Sequence, residues 1–578
     1  MKNTINLNGI WKFAPTYDQK PTNNHNVSFA RIPIYASDEL CRKHWEDVEV
    51  PGVWQRYGEK YSVFEGVCWF YREFEVDFFD KDFFANLVFK GVNYKADVYV
   101  NGELVGVHES AYTEFSFDIS KFLKQGKNYI AVQVDNRPTE VKWPNDWGYG
   151  VFGGIHRDVY IEVFDKDSLY DIELTPDFDI ASNEGILNVC AKGNAPKMTI
   201  KIDGAEFEMC SEAGVFSGQF RLSDITPWSP ANPKLYPIEI FVKNDVYASY
   251  NVGFRNISRK NRKLMLNGKP FEAKGACYLT DTPKSGLAVT KEEIRFDLLK
   301  MKEANVNSVR THYPMPDSFY ELCDEMGLTV WIEPNIYCSK PDVEQTNTVF
   351  ARKEFIDVAV SMTEEMIFGA RRFASVVIYG IGNECNTMHP ETVPFFEKIS
   401  DVVRKSDNTR LVGYASLYGL VGKIAHTVDV MGINSYCGWY GVINNFTTDD
   451  DIGNEVRKAD VSAVHEIIER VEKEVSEDAV LLLTEFGADS EPGYISDKCH
   501  LWSENFHAEI VKNYIEAGRE HESVSGYYVF AFTDYNDPSK PMNGRWNGFN
   551  LKGMLTYERE TKLPFYALKE AYSLDKQR

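Results

Sequence analysis

No run of this 578-residue chain reaches the roughly 18 to 20 consecutive apolar residues of a membrane-spanning helix, so no membrane partner is expected. Positive charge is also scarce: 63 lysines and arginines face 86 aspartates and glutamates, a net charge of -23. Such an excess repels nucleic-acid phosphates and anionic lipids, and an anionic small molecule would need a cationic pocket of its own. The ten cysteines include no Cys-x-x-Cys pair and no Cys/His group at zinc spacing. They read as reduced thiols, Cys385 and Cys437 lying near the chemistry discussed below, and no metal site is expected. Met1 to Phe13 lacks the apolar stretch of a secretory signal and runs straight into strand-like sequence, which predicts a cytoplasmic location.

What the chain does have is β pattern, followed by a change of rhythm. With 43% hydrophobic and 14% aromatic residues it can fill several cores, and its length suggests about three or four domains. Residues 1–165 carry short period-two runs, among them Phe74-Val76-Phe78, Ala96-Val98-Val100 and Ile130-Val132-Val134, with a hairpin signal at Asn101-Gly102. They predict an all-β sandwich. Residues 166–258, with alternating Met198-Ile200-Ile202 and Ile238-Ile240-Val242, predict a smaller Ig-like sandwich. Over 259–578 strands alternate with helices for eight rounds, with strands near 271–278, 308–313, 328–336, 376–384, 410–416, 429–436, 479–487 and 524–535. Eight such units predict a closed (β/α)8 TIM barrel. An open doubly wound sheet is disfavoured, because no Gly-rich phosphate loop follows any strand.

A TIM barrel carries its chemistry at the C-terminal strand ends, where Arg310, His312, Glu333, Asn383, Glu384, Asn434, Tyr436, Glu485 and Asp534 fall. Two of them close apolar runs: Glu384 ends the run from Val376, and Glu485 sits in Leu-Leu-Leu-Thr-Glu-Phe-Gly. Paired carboxyls at one mouth are what a glycosidase needs, one as proton donor and one as nucleophile. A single strand-end glutamate is more often a rim ion pair, but two in one mouth point to the catalytic pair. Glu384 follows Asn383, whose amide suits a sugar 2-OH, and is assigned as acid/base. Glu485, opposite a Tyr436 phenol that would keep it ionised, is assigned as nucleophile. His312 is a candidate substrate contact, Glu333 and Arg310 read as an ion pair bracing the rim, and Asp534 is ambiguous.

Several motifs taken together resemble glycoside hydrolase family 2: Leu7-Asn-Gly-Ile-Trp-Lys-Phe, Val50-Pro-Gly-Val-Trp, Ala96-Asp-Val-Tyr-Val-Asn-Gly, Gly153-Gly-Ile-His-Arg, Gly253-Phe-Arg, Leu266-Asn-Gly-Lys-Pro-Phe, Arg310-Thr-His-Tyr-Pro, Gly382-Asn-Glu and Thr484-Glu-Phe-Gly. The resemblance implies a jelly-roll sugar-binding domain, an Ig-like domain and a barrel, with retaining hydrolysis and no organic cofactor. It also implies Glu384 as acid/base, Glu485 as nucleophile, a small-molecule glycoside as partner, and a dimeric or tetrameric homo-oligomer. Within the family the chain looks most like β-glucuronidases. Asn434-Ser-Tyr-Cys-Gly-Trp-Tyr440 follows strand six, and Asn550-Leu-Lys552-Gly resembles the Asn-x-Lys motif that grips the sugar carboxylate, with Arg545 just upstream. Departures concern the sugar: strand one runs Gly275-Ala-Cys-Tyr-Leu-Thr-Asp281 without the usual His-Glu-Asp, Phe530 stands where many relatives carry Trp, and Asp146, the expected reader of O4, lies in an altered turn. Glucuronide is the leading substrate, with galacturonide or galactoside as the alternative. A carbohydrate-binding protein without turnover is the remote alternative, which the presence of both glutamates opposes.

Overall fold

The computed structural model describes residues 3–16, 45–77, 83–137, 142–143, 152–165, 167–337, 349–440, 459–540 and 545–574. In the N-terminal part, period-two runs become paired strands. Val67–Val76 and Gly126–Asp135 run antiparallel over their full length, Ile130 opposite Arg72 and Val134 opposite Cys68. At the predicted hairpin Asn101 and Gly102 take left-handed backbone, φ 50° and 91°, which turns Lys95–Val100 back onto Glu103–Glu109. A six-stranded and a four-stranded sheet make up this jelly-roll sandwich, with Trp11, Phe13, Trp54 and Phe70 in its core.

The second sandwich sets a sheet of Leu169–Asp179, Glu184–Gly193 and Val215–Leu222 against one of Lys197–Ile202, Ala205–Cys210, Tyr236–Val242 and Asp245–Val252. Leu187, Ile200, Ile238 and Phe254 fill the space between. The next residue, Arg255, is fully buried and donates to the carbonyls of Ala374, Val376 and Thr409, tying this sandwich to the N-terminal ends of barrel strands four and five. Burial, with the Arg410 charge beside it, lowers its pKa to about 9.

The barrel strands are Ala273–Cys277, Ser308–Arg310, Thr329–Ile332, Val376–Asn383, Leu411–Leu417, Val430–Asn434, Val480–Glu485 and Val524–Val529, parallel, in sequence order and closed. Side chains fill the inside and helices cover the outside, which is why strand four is buried at all eight positions and reads as a continuous apolar run. The first helix of the barrel is Lys291–Glu303, opened by a capping box in which Thr290 accepts from the Glu293 amide and Glu293 from the Thr290 amide. A later helix spans Ala463–Glu474, and after strand five a short 3-10 segment, Gly422–Thr427, makes the connection. A hairpin, Ile257–Lys260 with Lys263–Leu266, lies under the barrel, the Leu264 amide donating to Ser525 at the foot of strand eight. Among the described residues, no helix is long and apolar enough to cross a membrane, and eight cysteines are free thiols.

Candidate active site

The C-terminal rim collects the polar side chains in two linked clusters. At the centre of the first is Arg310, the last residue of strand two and fully buried. Its planar fork reaches three oxygens: Nε to Glu333 Oε1 at 2.8 Å, Nη1 to Glu485 Oε1 at 2.8 Å, and Nη2 to Asn383 Oδ1 at 2.9 Å. The expected brace between Arg310 and Glu333 is present. Sequence reasoning missed that the same guanidinium also holds Glu485; the only signal was the Arg310-Thr-His pattern itself.

Glu485 ends strand seven. Its Oε1 also faces His312 Nε2 at 3.0 Å, and its Oε2 accepts from the Tyr436 hydroxyl at 2.8 Å. Burial alone would push this carboxyl up, but the hydrogen bond from His312 and the charge of Arg310 outweigh it and hold the pKa at about 2. Burial and the same arginine depress His312, so its imidazole is neutral. An ionised carboxylate can only accept, so the His312 proton sits on Nε2.

Glu384 follows strand four with a left-handed backbone, φ 51°, and is partly open to the cavity. Asn434, the last residue of strand six, donates from Nδ2 to Glu384 Oε1 at 2.8 Å and to Asn383 Oδ1 at 2.9 Å. Thr484 Oγ1 donates to Asn434 Oδ1 at 2.7 Å, which fixes the orientation of that amide. Burial and the nearby negative charge of Glu485 raise the pKa of Glu384 to about 8. Two identical functional groups are thus prepared in opposite states, one protonated at neutral pH and one ionised.

The second cluster surrounds Lys552. The Tyr440 ring lies edge-on to Tyr436, centroids 5.1 Å apart, and joins the two clusters. Lys552 is fully buried; its Nζ donates to Asp489 Oδ2 at 2.6 Å and to Tyr440 Oη at 2.8 Å. Asp489, four residues beyond Glu485, also accepts from Trp439 Nε1 and the Leu551 amide, both at 2.9 Å. Burial raises its carboxyl, but the Lys552 and Lys540 charges prevail and hold it at about 2. Asp489 was not foreseen, although its place in Thr-Glu-Phe-Gly-Ala-Asp just after strand seven was a usable signal. Asn550 Oδ1 accepts from the Lys552 amide at 3.3 Å and shapes that turn. The guanidinium of Arg545 is engaged by Glu491 at 3.0 Å and lies 5.9 Å from the Trp502 ring centroid. Asp146 lies outside the described residues.

The remaining strand-end acids are structural. Asp534 accepts from Lys562 at 3.0 Å and from the Gly553 amide at 2.7 Å, fastening the Lys552 loop to strand eight. Asp281 accepts from the Asn536 amide at 2.8 Å and from Tyr557 at 2.9 Å, with Arg56 of the jelly roll 3.4 Å away. Among the described residues, no group of three or more His, Cys, Asp or Glu side chains could hold a metal ion.

A closed parallel barrel whose fourth and seventh strands end in a protonated and an ionised glutamate has the layout of a carbohydrate-cleaving barrel enzyme. The chain belongs to glycosyl hydrolases family 2: residues 5–163 match the sugar binding domain of that family and residues 257–576 its TIM barrel domain. It is 27% identical over 471 residues to a beta-galactosidase of Priestia megaterium, covering 71% of this chain and 44% of that protein, so it spans less than half the length of that relative. Over 572 residues it is 25% identical to a putative beta-glucuronidase of Formosa agariphila, covering 92% of this chain and 67% of that protein. Among solved structures, the GH2 beta-galacturonidase of Eisenbergiella tayi bound to galacturonate superposes with a TM-score of 0.81 at 25% identity, covering 100% of this chain and 98% of that one.

Proposed function

We propose that the protein is a retaining exo-β-hexuronidase that removes terminal β-D-glucuronic acid from glucuronides. The carrying observation is the opposed preparation of Glu384 and Glu485, pKa about 8 and about 2, on strands joined by the Asn434, Asn383 and Arg310 hydrogen bonds. Glu485 attacks the anomeric carbon while Glu384 gives its proton to the departing oxygen, leaving a glycosyl ester on Glu485. Glu384, now a base, takes a proton from water, which attacks the same carbon and frees Glu485. Asn383 Oδ1 already accepts from Arg310 and Asn434, so its Nδ2 hydrogens are what it offers the sugar 2-OH. His312 and Tyr436 keep the nucleophile ionised, and Lys552 with Tyr440 faces the sugar carboxylate beside Asn550.

A β-galacturonide is the second reading, favoured by the likeness to the Eisenbergiella tayi beta-galacturonidase and by the altered turn around Asp146. A neutral galactoside is the third, since Asp489 already balances the Lys552 charge. A cytoplasmic location belongs to the same proposal and is supported by the free thiols. Comparing kcat/KM on p-nitrophenyl β-glucuronide, β-galacturonide and β-galactoside tests the substrate. Glucuronide is expected to lead, and a galactoside rate above both uronides would overturn the reading. Lys552→Ala is expected to cost the uronides about 10- to 100-fold, the loss of a charge-assisted hydrogen bond. An equal loss on the galactoside would remove Lys552 from the carboxylate site.

A further inference from the structure

The charges beside Tyr440 do not balance in the way the Asn550-Leu-Lys552 motif suggests. Lys552 and Asp489, both fully buried and 2.6 Å apart, cancel each other. Arg545 and Glu491, 3.0 Å apart, cancel likewise. Lys540, on the loop after strand eight, is different. Its Nζ lies 3.3 Å from Tyr440 Oη and packs over the rings of Tyr440 and Trp546, at 5.3 and 5.1 Å from their centroids. Among the described residues no carboxylate lies within ion-pair distance of it. Asp537, the nearest acid in sequence, has Oδ1 occupied by the amide and hydroxyl of Ser539.

Donor counting sharpens the point. Ammonium groups only donate, so Tyr440 Oη accepts from both Lys552 and Lys540, and its two lone pairs are filled. Its own proton must point away from both lysines, and no acceptor for it occurs among the described residues. Lys552 retains one hydrogen beyond those given to Asp489 and Tyr440, and Lys540 retains two. Two ammonium groups with hydrogens to spare therefore meet at Tyr440, and of the two only Lys552 has a carboxylate at ion-pair distance among the described residues. A carboxylate offers these hydrogens two charged acceptor oxygens, where a hydroxymethyl group offers one neutral oxygen. We propose that Lys540 is a specificity-determining residue for this enzyme, supplying a positive charge outside any ion pair that selects an anionic sugar, while Lys552, held by Asp489, positions Tyr440 and the carboxylate. The inference rests on the uronide reading above and goes beyond the Asn-x-Lys motif.

The test compares p-nitrophenyl β-glucuronide and β-galacturonide with their uronamides, in which a neutral amide replaces the carboxylate. Wild type, Lys540→Gln, Lys540→Ala and Lys540→Arg are assayed, with thermal unfolding as the check on folding. In both neutral variants the acid-to-amide ratio of kcat/KM is expected to fall about 10- to 100-fold, carried mainly by KM, as loss of one charge-assisted hydrogen bond implies. Lys540→Arg should restore the ratio to within about threefold, because charge and donor return. A ratio unchanged in folded neutral variants, whether both substrates hold steady or both decline together, overturns the role of Lys540 and leaves the uronide reading standing. Wild-type enzyme that cleaves neither uronide overturns both.

Discussion

Glu384 and Glu485 differ in proton affinity because burial raises both but only Glu485 is held directly by the Arg310 guanidinium and by hydrogen bonds from His312 and Tyr436. The difference sets a pH profile. Glu384 must hold its proton to act as acid, so kcat/KM on an aryl glucuronide should be constant at neutral pH and fall as pH rises through about 8, where that proton leaves. The acid limb, set by protonation of Glu485 near pH 2, should lie below the range usually assayed. Asn434 lowers the pKa of Glu384 by donating to it, so Asn434→Ala should move the alkaline limb to higher pH, read from the same profile. Glu485→Gln should reduce turnover on the order of 10⁴-fold or more, as removal of a nucleophile does, and a loss under tenfold would reject its role. Both glutamates were legible because each closes an apolar run and the two share one barrel mouth. The Lys552 partner was not: Asp489 and Lys552 lie on different loops, 63 residues apart, which meet only where strands seven and eight pair side by side. Arg310 was visible as a rim residue, but three oxygens from strands three, four and seven converge on it only in the folded barrel.

At the scale of the element, strand four carries the most constraint. A Cβ on Gly380 would lie 2.4 Å from Glu333 Cγ and 2.5 Å from Trp331 Nε1, so no side chain fits between this strand and the residues bracing Arg310. Gly380→Ala should cost about 1 to 3 kcal/mol by overpacking, seen as a lower urea midpoint, and should reduce kcat through displacement of Glu333. Arg255→Met removes a buried cation and its hydrogen bonds to the carbonyls of Ala374, Val376 and Thr409, of which Val376 keeps the Arg410 Nε donor. It should lower stability by about 2 to 4 kcal/mol while KM, set at the opposite end of the barrel, stays close to wild type. The eight strands were readable because each is an apolar run bounded by helix or turn signals. Strand lengths were less so: the second was expected at 308–313 and ends at Arg310, beyond which His312 turns to Glu485 and Tyr313 stacks on Tyr112 of the jelly roll. The strand-five connection departs from the alternating rhythm because Gly419 and Gly422 take left-handed backbone before its short 3-10 turn.

Across the whole molecule, the change from period two to alternating strands and helices separated sandwiches from barrel in the sequence, yet the joins were invisible there. They are made by single residues far apart in the chain. Arg56 of the jelly roll reaches Tyr557 at 2.5 Å and Asp281 at 3.4 Å, and Arg371 of the barrel pairs with Glu173 of the second sandwich. Asp281 is raised by burial and lowered by Arg56, so Arg56→Ala should weaken that join and quicken limited proteolysis between jelly roll and barrel, checked by gel. Trp143 carries the largest consequence. Its indole donates to the Phe355 carbonyl at 3.2 Å and its ring packs against Phe350, Phe355 and Phe395, so the apolar packing around two of the barrel's covering helices is completed by a residue from the other domain. The catalytic half is therefore not a portable cassette. A gene for 257–576 alone should yield insoluble protein, and any chimaera that borrows this barrel must bring its jelly-roll plug with it.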